Sequence, residues 1–382
     1  MSKSLLLLLC LLVFTPVGSH AHEGGQPQQY WVFLGTYTTP DGSRGIYRSS
    51  FDPATGQLSQ PELAMEIDSP SFLHIAPDGK SLYAVNESNE EGDVVSYHLD
   101  PTTGQLTHSA TLRSGGATAC HISTDAANQF AVVSNYFGGS FAFFKLQPNG
   151  SLESQIAHYA IPVLDVEGES RAARGHCGFF DATGTLALTC DAGQDKVHLY
   201  RLDRETGTVT PNDPPFLEMP ALSAPRHIHI AADNTVAFVN GERDMTVNVV
   251  RMDVAANRFE VVQSLSTLRD GESVQPGYST AECRIHPNGK FVYVSNRGHD
   301  TIAVFKYDAS AMRVSRVGHV TGEIKVPRNF NITPCGNWML IASQDGGKVG
   351  VYRIDPNTGL ATETDNAIKI DRCVCIKFLP QP

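Results

Sequence analysis

One motif recurs seven times along this 382-residue chain, and it constrains the fold more than any other feature. An apolar, strand-like stretch ends in a polar residue, usually Asp, and a turn. The copies fall at 45–52, 93–100, 140–147, 196–203, 246–253, 301–308 and 348–355, spaced 47 to 56 residues apart. Several continue as Asp-Pro-x-x-Gly-x-Leu, a turn leading into a new strand. A second element precedes the copies at 77–86, 126–135, 182–191, 232–241, 287–296 and 334–343, and its seventh member is 28–35. Before each turn lies a further short apolar stretch: 71–76, 120–124, 176–180, 226–230, 282–286, 328–332 and, at the C-terminus, 373–378. The unit is four short strands in about 50 residues, and seven such units predict an all-β, seven-bladed β-propeller. One unit draws its first strand from the C-terminus and its second from the N-terminus. Pairing them in one blade closes the ring and leaves no loose edge. A row of independent β-sandwiches would not produce a half-repeat at each end. The 33 glycines and 22 prolines suit many tight turns, and helical periodicity is not evident beyond the N-terminal segment.

That segment has the layout of a secretory signal peptide. Lys3 precedes an apolar run at 5–17, broken by Pro16, and Ser19-His20-Ala21 follows as a small-x-small site. Thirteen residues are too few to span about 30 Å of hydrocarbon. The expected division is a leader at 1–21, cleaved after Ala21, and a single propeller domain at 22–382, exported to the periplasm or secreted. Leu9 precedes Cys10, so no lipoprotein acceptor is expected. No later segment is long enough to cross a membrane as a helix. Seven cysteines remain after cleavage. Their spacing matches no zinc ribbon, and buried free thiols are expected rather than a disulfide framework. Cys373 and Cys375 are expected on one strand face. With 29 basic against 40 acidic residues the net charge is −11, which disfavours nucleic acid as a partner.

Propeller geometry places the chemistry. The start of each inner strand and the end of the strand beside it meet at one mouth of the central channel. Inner-strand starts bring His121, His176, Arg226 with His227, Glu282, and Arg328 with Asn329 there. Second-strand ends bring Glu87, Asn135 with Tyr136, Asp191, Glu242, Arg297 and Gln344. So many His, Arg and Glu are unexpected on a chain with 18% charged residues. The hairpin turns of the opposite mouth are ordinary Pro-Asp-Gly, Pro-Asn-Gly and Ala-Thr-Gly. Each residue also has a structural reading. Glu242 and Arg297 could be an ion pair, His121 and His227 satisfied channel histidines, and Glu87, Asp191 and Glu282 strand caps. Asn135-Tyr136 could be packing, and His299 a loop residue.

Stretches along almost the whole chain after the leader resemble the lactonase family of seven-bladed propellers. They include GTYT (35–38), GIYRSSFDPATGQL (45–58), SPSFLHIAPDGKSLYAVNE (69–87), SNYFGGS (134–140), APRHI (224–228), AECRIHPNGKFVYVSNRGHDTIAVF (281–305) and VPRNF (326–330). That family includes propeller-type 6-phosphogluconolactonases and carboxymuconate-cyclising enzymes. The resemblance implies a catalytic set of His176, Arg226, Glu242 and Arg297. It leaves Glu87, His121, Asn135, Tyr136, Asp191, His227, Glu282, Arg328 and Gln344 as substrate-binding candidates. Many relatives carry His-x-His where this chain has Arg174-Gly175-His176. A lactone hydrolase needs a base for water, fixed positive charge for the oxyanion and groups for the substrate's polar atoms. His176 or Glu242 could be the base, and Arg226 or Arg297 could hold the oxyanion. Arginines beside the carboxylates disfavour a cation, and no compact Asp-rich loop is present, so no metal or other cofactor is expected. The implied function is hydrolysis of a sugar-type lactone by a monomer. Alternatives are a muconate-cyclising enzyme or a non-catalytic binding propeller.

Overall fold

The computed structural model describes residues 28–88, 90–166 and 168–382. The expected leader at 1–21, with Cys10, lies outside the described residues. Seven antiparallel sheets are arranged around a central channel, and there is no helix among the described residues. Six blades are each one continuous run of chain. Their inner strands are Leu73–Ile75, Ala119–Thr124, Gly175–Phe180, Pro225–Ile230, Ser279–Ile285 and Pro327–Ile332. The closing blade takes its inner strand, Cys373–Pro380, from the C-terminus and pairs it with Tyr30–Thr36 from the N-terminal end. That pairing closes the ring as the half-repeats require.

Side chains alternate along every inner strand because the strand period is two. Leu73, Ile122, Ile228, Cys283, Phe330 and Ile376 point between blades, into apolar clusters that glue neighbouring sheets. In the blade between Ile122 and Ile228 the same level holds Gly178. A Cβ there would meet Val132 and Thr189 at 3.0–3.1 Å. The intervening positions face the channel. The second strands are buried throughout, as at Leu186–Asp191 and Trp338–Ser343, so each blade is apolar on both faces.

The outermost strands were the least legible element. In the closing blade the fourth strand is split into Gln57–Leu58 and Glu62–Glu66; Pro61, lacking an N–H, lies in the break. A two-stranded excursion, Leu164–Val166 with Glu169–Arg171, interrupts the regular repeat and accounts for its widest spacing. The seven described cysteines are free, six of them buried and Cys335 exposed. Cys373 and Cys375 do not share a face. A register shift against Gly35 and Thr36 separates them, and they pack into different clusters.

Candidate functional site at the channel mouth

The upper end of the channel is shaped by bulges. Six inner strands slip register against their partners at their first residues, among them Gly175/Cys177, Pro225/Ile228 and Pro327/Asn329. A bulge re-aims side chains that strict alternation would bury. It lets Arg226 reach the mouth while His227 faces the channel below it, and does the same for Arg328 above Asn329. Local sequence assists: Ala224-Pro225-Arg226 and Val326-Pro327-Arg328 each open on a residue with positive φ, +53° and +50°. For Val326 that is a strained conformation, of the kind that concentrates at functional sites.

Around the mouth runs a ring of residues at or just past the ends of the second strands. In register these are Tyr37, Glu87, Tyr136, Ala192, Glu242, Arg297 and Gln344. Glu242 is the hub. Nη2 of Arg297 donates to its Oε1, and Nε of Arg226 lies 3.5 Å from the same oxygen. Arg297 also donates to the Thr280 carbonyl at 2.9 Å, and Arg226 to the Ala281 carbonyl at 2.5 Å. Gly298 turns the chain directly after Arg297 with φ +78°, and a Cβ there would strike the Gly277 carbonyl at 2.5 Å. Across the mouth, Tyr37 donates its hydroxyl to Glu87 at 2.9 Å, and Arg328 lies 3.5 Å from the same carboxylate. His176 packs edge-on to Tyr136, ring centroids 5.5 Å apart, and Arg174 lies over the Tyr136 and Phe137 rings.

Electrostatics assign charge states. Burial pushes the Glu242 carboxyl up, but Arg226 and Arg297 outweigh it and hold it below the usual range, so it is ionised. Burial, with Arg328 and Arg297 adding repulsion, brings Arg226 down to about 10, still charged near neutral pH. Burial, followed by Arg226 and His227, drives His176 well below 6.5, so its ring is neutral. Its Nδ1 is buried and has no hydrogen-bond partner among the described residues, and the same holds for Nε of Arg226 and of Arg297. Unpartnered buried polar atoms are costly; here three of them belong to one cluster.

The other candidates separate by depth. His121, His227 and Glu282 sit one level down, facing the channel with Phe72 and Asn329. Phe72 stacks on His121 at 4.1 Å. Glu282 accepts from His227 Nδ1 at 3.1 Å and from Asn329. Asn135 and Asp191 are not part of the mouth. Both are fully buried one residue before the ring positions. Asn135 bonds Ser114 and Ser140, and Asp191 accepts the backbone N–H groups of Arg174 and Gly193. The ring position in that blade belongs to Ala192, the residue after the strand's end at Asp191. Gln344 is in register but turns to Asp345 at 3.0 Å. His299 is a loop residue bonded to Glu272 and Thr301. Tyr37 lies beyond the 28–35 element of the repeat pattern; the strand runs one residue further, to Thr36, which brings Tyr37 to the ring. Among the described residues no three His, Cys, Asp or Glu are gathered to hold a metal ion, and no helix is long and apolar enough to cross a membrane.

The buried histidines give the fold an expected acid sensitivity. Burial holds His227 and His229 at about 4 and His74 at about 3, and drives His121 and His176 well below 6.5. An unfolded chain protonates these rings below about pH 6.5, whereas the folded chain does not. Stability is therefore expected to be full above that value and to fall as pH drops below it. Burial would raise Glu282, but Arg284 and His227 hold it far below the carboxylate range, which acts in the same direction. Melting temperatures from about pH 8 to 4 check this; a level profile would contradict it.

The protein is of the seven-bladed propeller class, with a polar, arginine-rich channel mouth. The model of the family described as "Lactonase, 7-bladed beta-propeller" matches residues 31–378, and the chain belongs to that family. It is 28% identical to the 6-phosphogluconolactonase of Bacillus subtilis over 353 residues, 92% of this chain and 99% of that protein. A 6-phosphogluconolactonase of Formosa agariphila is also 28% identical, over 86% of this chain and 93% of that one. Among solved structures, the periplasmic gluconolactonase of Pseudomonas aeruginosa superimposes with a TM-score of 0.86 at 25% identity. The match covers 93% of this chain and 100% of that one.

Proposed function

We propose that the protein is an exported, metal-independent lactonase that hydrolyses a sugar-type lactone at the mouth built around Glu242. The observation that carries this reading is the neutral, buried His176, whose Nδ1 is unpartnered. It belongs to the same cluster as Arg226 and Arg297, whose charge Glu242 gathers. Water attacks the lactone carbonyl carbon and its proton passes to His176. The oxyanion is stabilised by Arg226 and Arg297, whose fixed positive charge needs no rearrangement as the reaction proceeds. On collapse the bond from carbonyl carbon to ring oxygen breaks. His176 then returns its proton to that oxygen, giving the open hydroxy acid. Glu242, tied to two guanidinium groups, orients them rather than taking a proton. Glu87, Tyr37 and Arg328 offer acceptors and donors to the substrate's hydroxyl or acid groups.

Export follows from the leader at 1–21, which we propose is removed to leave 22–382 as one domain in the periplasm or outside the cell. The periplasmic relative supports it. A non-phosphorylated lactone then fits better than a phosphorylated one, which is chiefly a cytoplasmic metabolite. The closed ring needs no partner subunit, and we propose a monomer. Convergence of Arg226, Arg297 and Arg328 favours a second reading, ring closure or opening of a muconate-type dicarboxylate.

A pH-stat panel of gluconolactone, its 6-phosphate and a muconolactone, corrected for spontaneous hydrolysis, tests these readings. Chelator-resistant hydrolysis with gluconolactone preferred is the expected result. Because His176 stays neutral well below 6.5, the rate is expected to be level through neutral pH and to fall only in acid. Loss of all activity on adding chelator would sink the metal-free reading. Preference for the muconolactone would select the second reading, and no rate on any member would reject both.

A further inference from the structure

We propose that the channel layer below the His121–His227–Glu282 level is a second binding site, for a small oxyanion, held between Arg284 and Lys377. This goes beyond the lactonase reading and does not depend on it. The channel-facing positions two residues beyond the His121–His227–Glu282 level form their own ring. Their cross-strand partners fix the level. His74 is opposite Tyr83, Ser123 opposite Val132, Phe179 opposite Leu188, His229 opposite Phe238, Arg284 opposite Tyr293, Asn331 opposite Leu340 and Lys377 opposite Phe33. Six partners lie three residues before the end of their second strands and Tyr293 lies three before Asn296, the equivalent position in a strand one residue longer, so the seven side chains share one layer.

Most of that layer is already satisfied from within. Ser123 donates to the Gly178 carbonyl and Asn331 to the Ile376 carbonyl. His74 bonds Thr124, and His229 Nδ1 accepts the Ile285 N–H at 3.0 Å. Arg284 and Lys377 are different. Arg284 reaches one carboxylate, Glu282 at 3.4 Å, and its Nε is buried with no partner among the described residues. Glu282 is itself engaged by His227, Asn329 and the Cys283 N–H. The Lys377 ammonium lies 4.2 Å from the Phe72 ring centroid, a cation–π contact, and has no carboxylate partner among the described residues. In a channel walled by Phe72, Phe179 and neutral histidines, Arg284 is thus paired with a carboxylate that is already engaged, and Lys377 with none. An oxyanion between them would satisfy the orphaned Nε and neutralise the surplus charge. Burial, with Arg284 adding repulsion, brings Lys377 down to about 8. A bound anion would act in the opposite direction and raise it.

Two ligands carry the required chemistry: inorganic phosphate and a sugar acid such as gluconate. Protein labelled with 13C at lysine Cε gives a readout specific to this site. Lys377, assigned by its loss in Lys377→Arg, is expected to titrate near 8 in chloride. Its midpoint is expected to rise by about one pH unit or more when chloride is replaced by phosphate at equal ionic strength. The same rise with gluconate would identify a sugar acid as an occupant; a rise with phosphate alone would restrict the site to phosphate. A midpoint unmoved by either anion would overturn the proposal. Crystals soaked in selenate provide an independent measurement. An anomalous peak between Arg284 and Lys377 is expected, and a peak confined to the Arg226–Arg297–Arg328 mouth would refute the second site.

Discussion

Arg297→Met is expected to keep its fold and lose about 10²- to 10³-fold in kcat on the preferred lactone, the usual cost of removing one oxyanion donor. The fold should survive because the side chain lines the open mouth and its removal leaves Glu242 near Arg226 at 3.5 Å. The loss should fall on kcat, since the developing oxyanion interacts with the guanidinium more strongly than the ground-state carbonyl does. Arg297→Lys restores the charge without the planar fork, so partial recovery is expected. Initial rates over a range of substrate concentrations, beside melting curves for each variant, check the prediction. A rise in KM with kcat unchanged would instead make Arg297 a substrate-holding residue and shift the oxyanion role to Arg226.

The largest stability effect should come from the last ten residues. A chain ending at Arg372 is expected to yield no folded monomer. It loses the inner strand of the closing blade and uncovers the whole edge of Tyr30–Thr36. Cys373, Cys375, Ile376 and Leu379 leave the interblade clusters on both sides of that blade. Fully burying one such apolar side chain stabilises by about 1.5–3 kcal/mol. Several together approach the 5–15 kcal/mol that holds a typical domain, and the open edge invites pairing between molecules. Size-exclusion chromatography and circular dichroism would show aggregate and lost strand signal. A soluble truncated chain with a cooperative melt would contradict the view that ring closure stabilises the fold.

Legibility in the sequence followed burial. Second strands such as Phe130–Asn135 and Phe291–Arg297 are apolar on both faces, so they read as continuous runs between turn signals, and the sevenfold count came from them and the strands that follow. Outer strands such as Leu106–Arg113 are half exposed and mostly polar, so their limits were obscure. The excursion at 164–171 has no counterpart in the other repeats and left no signal.

The convergence at the mouth was legible for a related reason. His176, Arg226, Glu242, Arg297, Glu87, Tyr136 and Arg328 are polar residues at the ends of apolar runs. Propeller topology requires such ends to converge. At Asp191 and Tyr37 the sequence pattern and the structure differ in placement by a single residue. A strand's exact end is set by hydrogen-bond register, which the apolar pattern leaves open by about a residue.

The layer below the mouth shows the boundary from the other side. The hairpin turns beyond it are ordinary, yet Arg284 and Lys377 share this layer. They are 93 residues apart in the chain, and nothing in either local segment marks the other. The sequence by itself determined the blade count, the all-β class and the closure by the two termini, because each rests on periodic burial and on turn residues written locally. Only the tertiary structure decided which polar side chains share a level of the channel. That depends on seven separate registers and on the bulges that rotate the first residues of the inner strands toward the mouth.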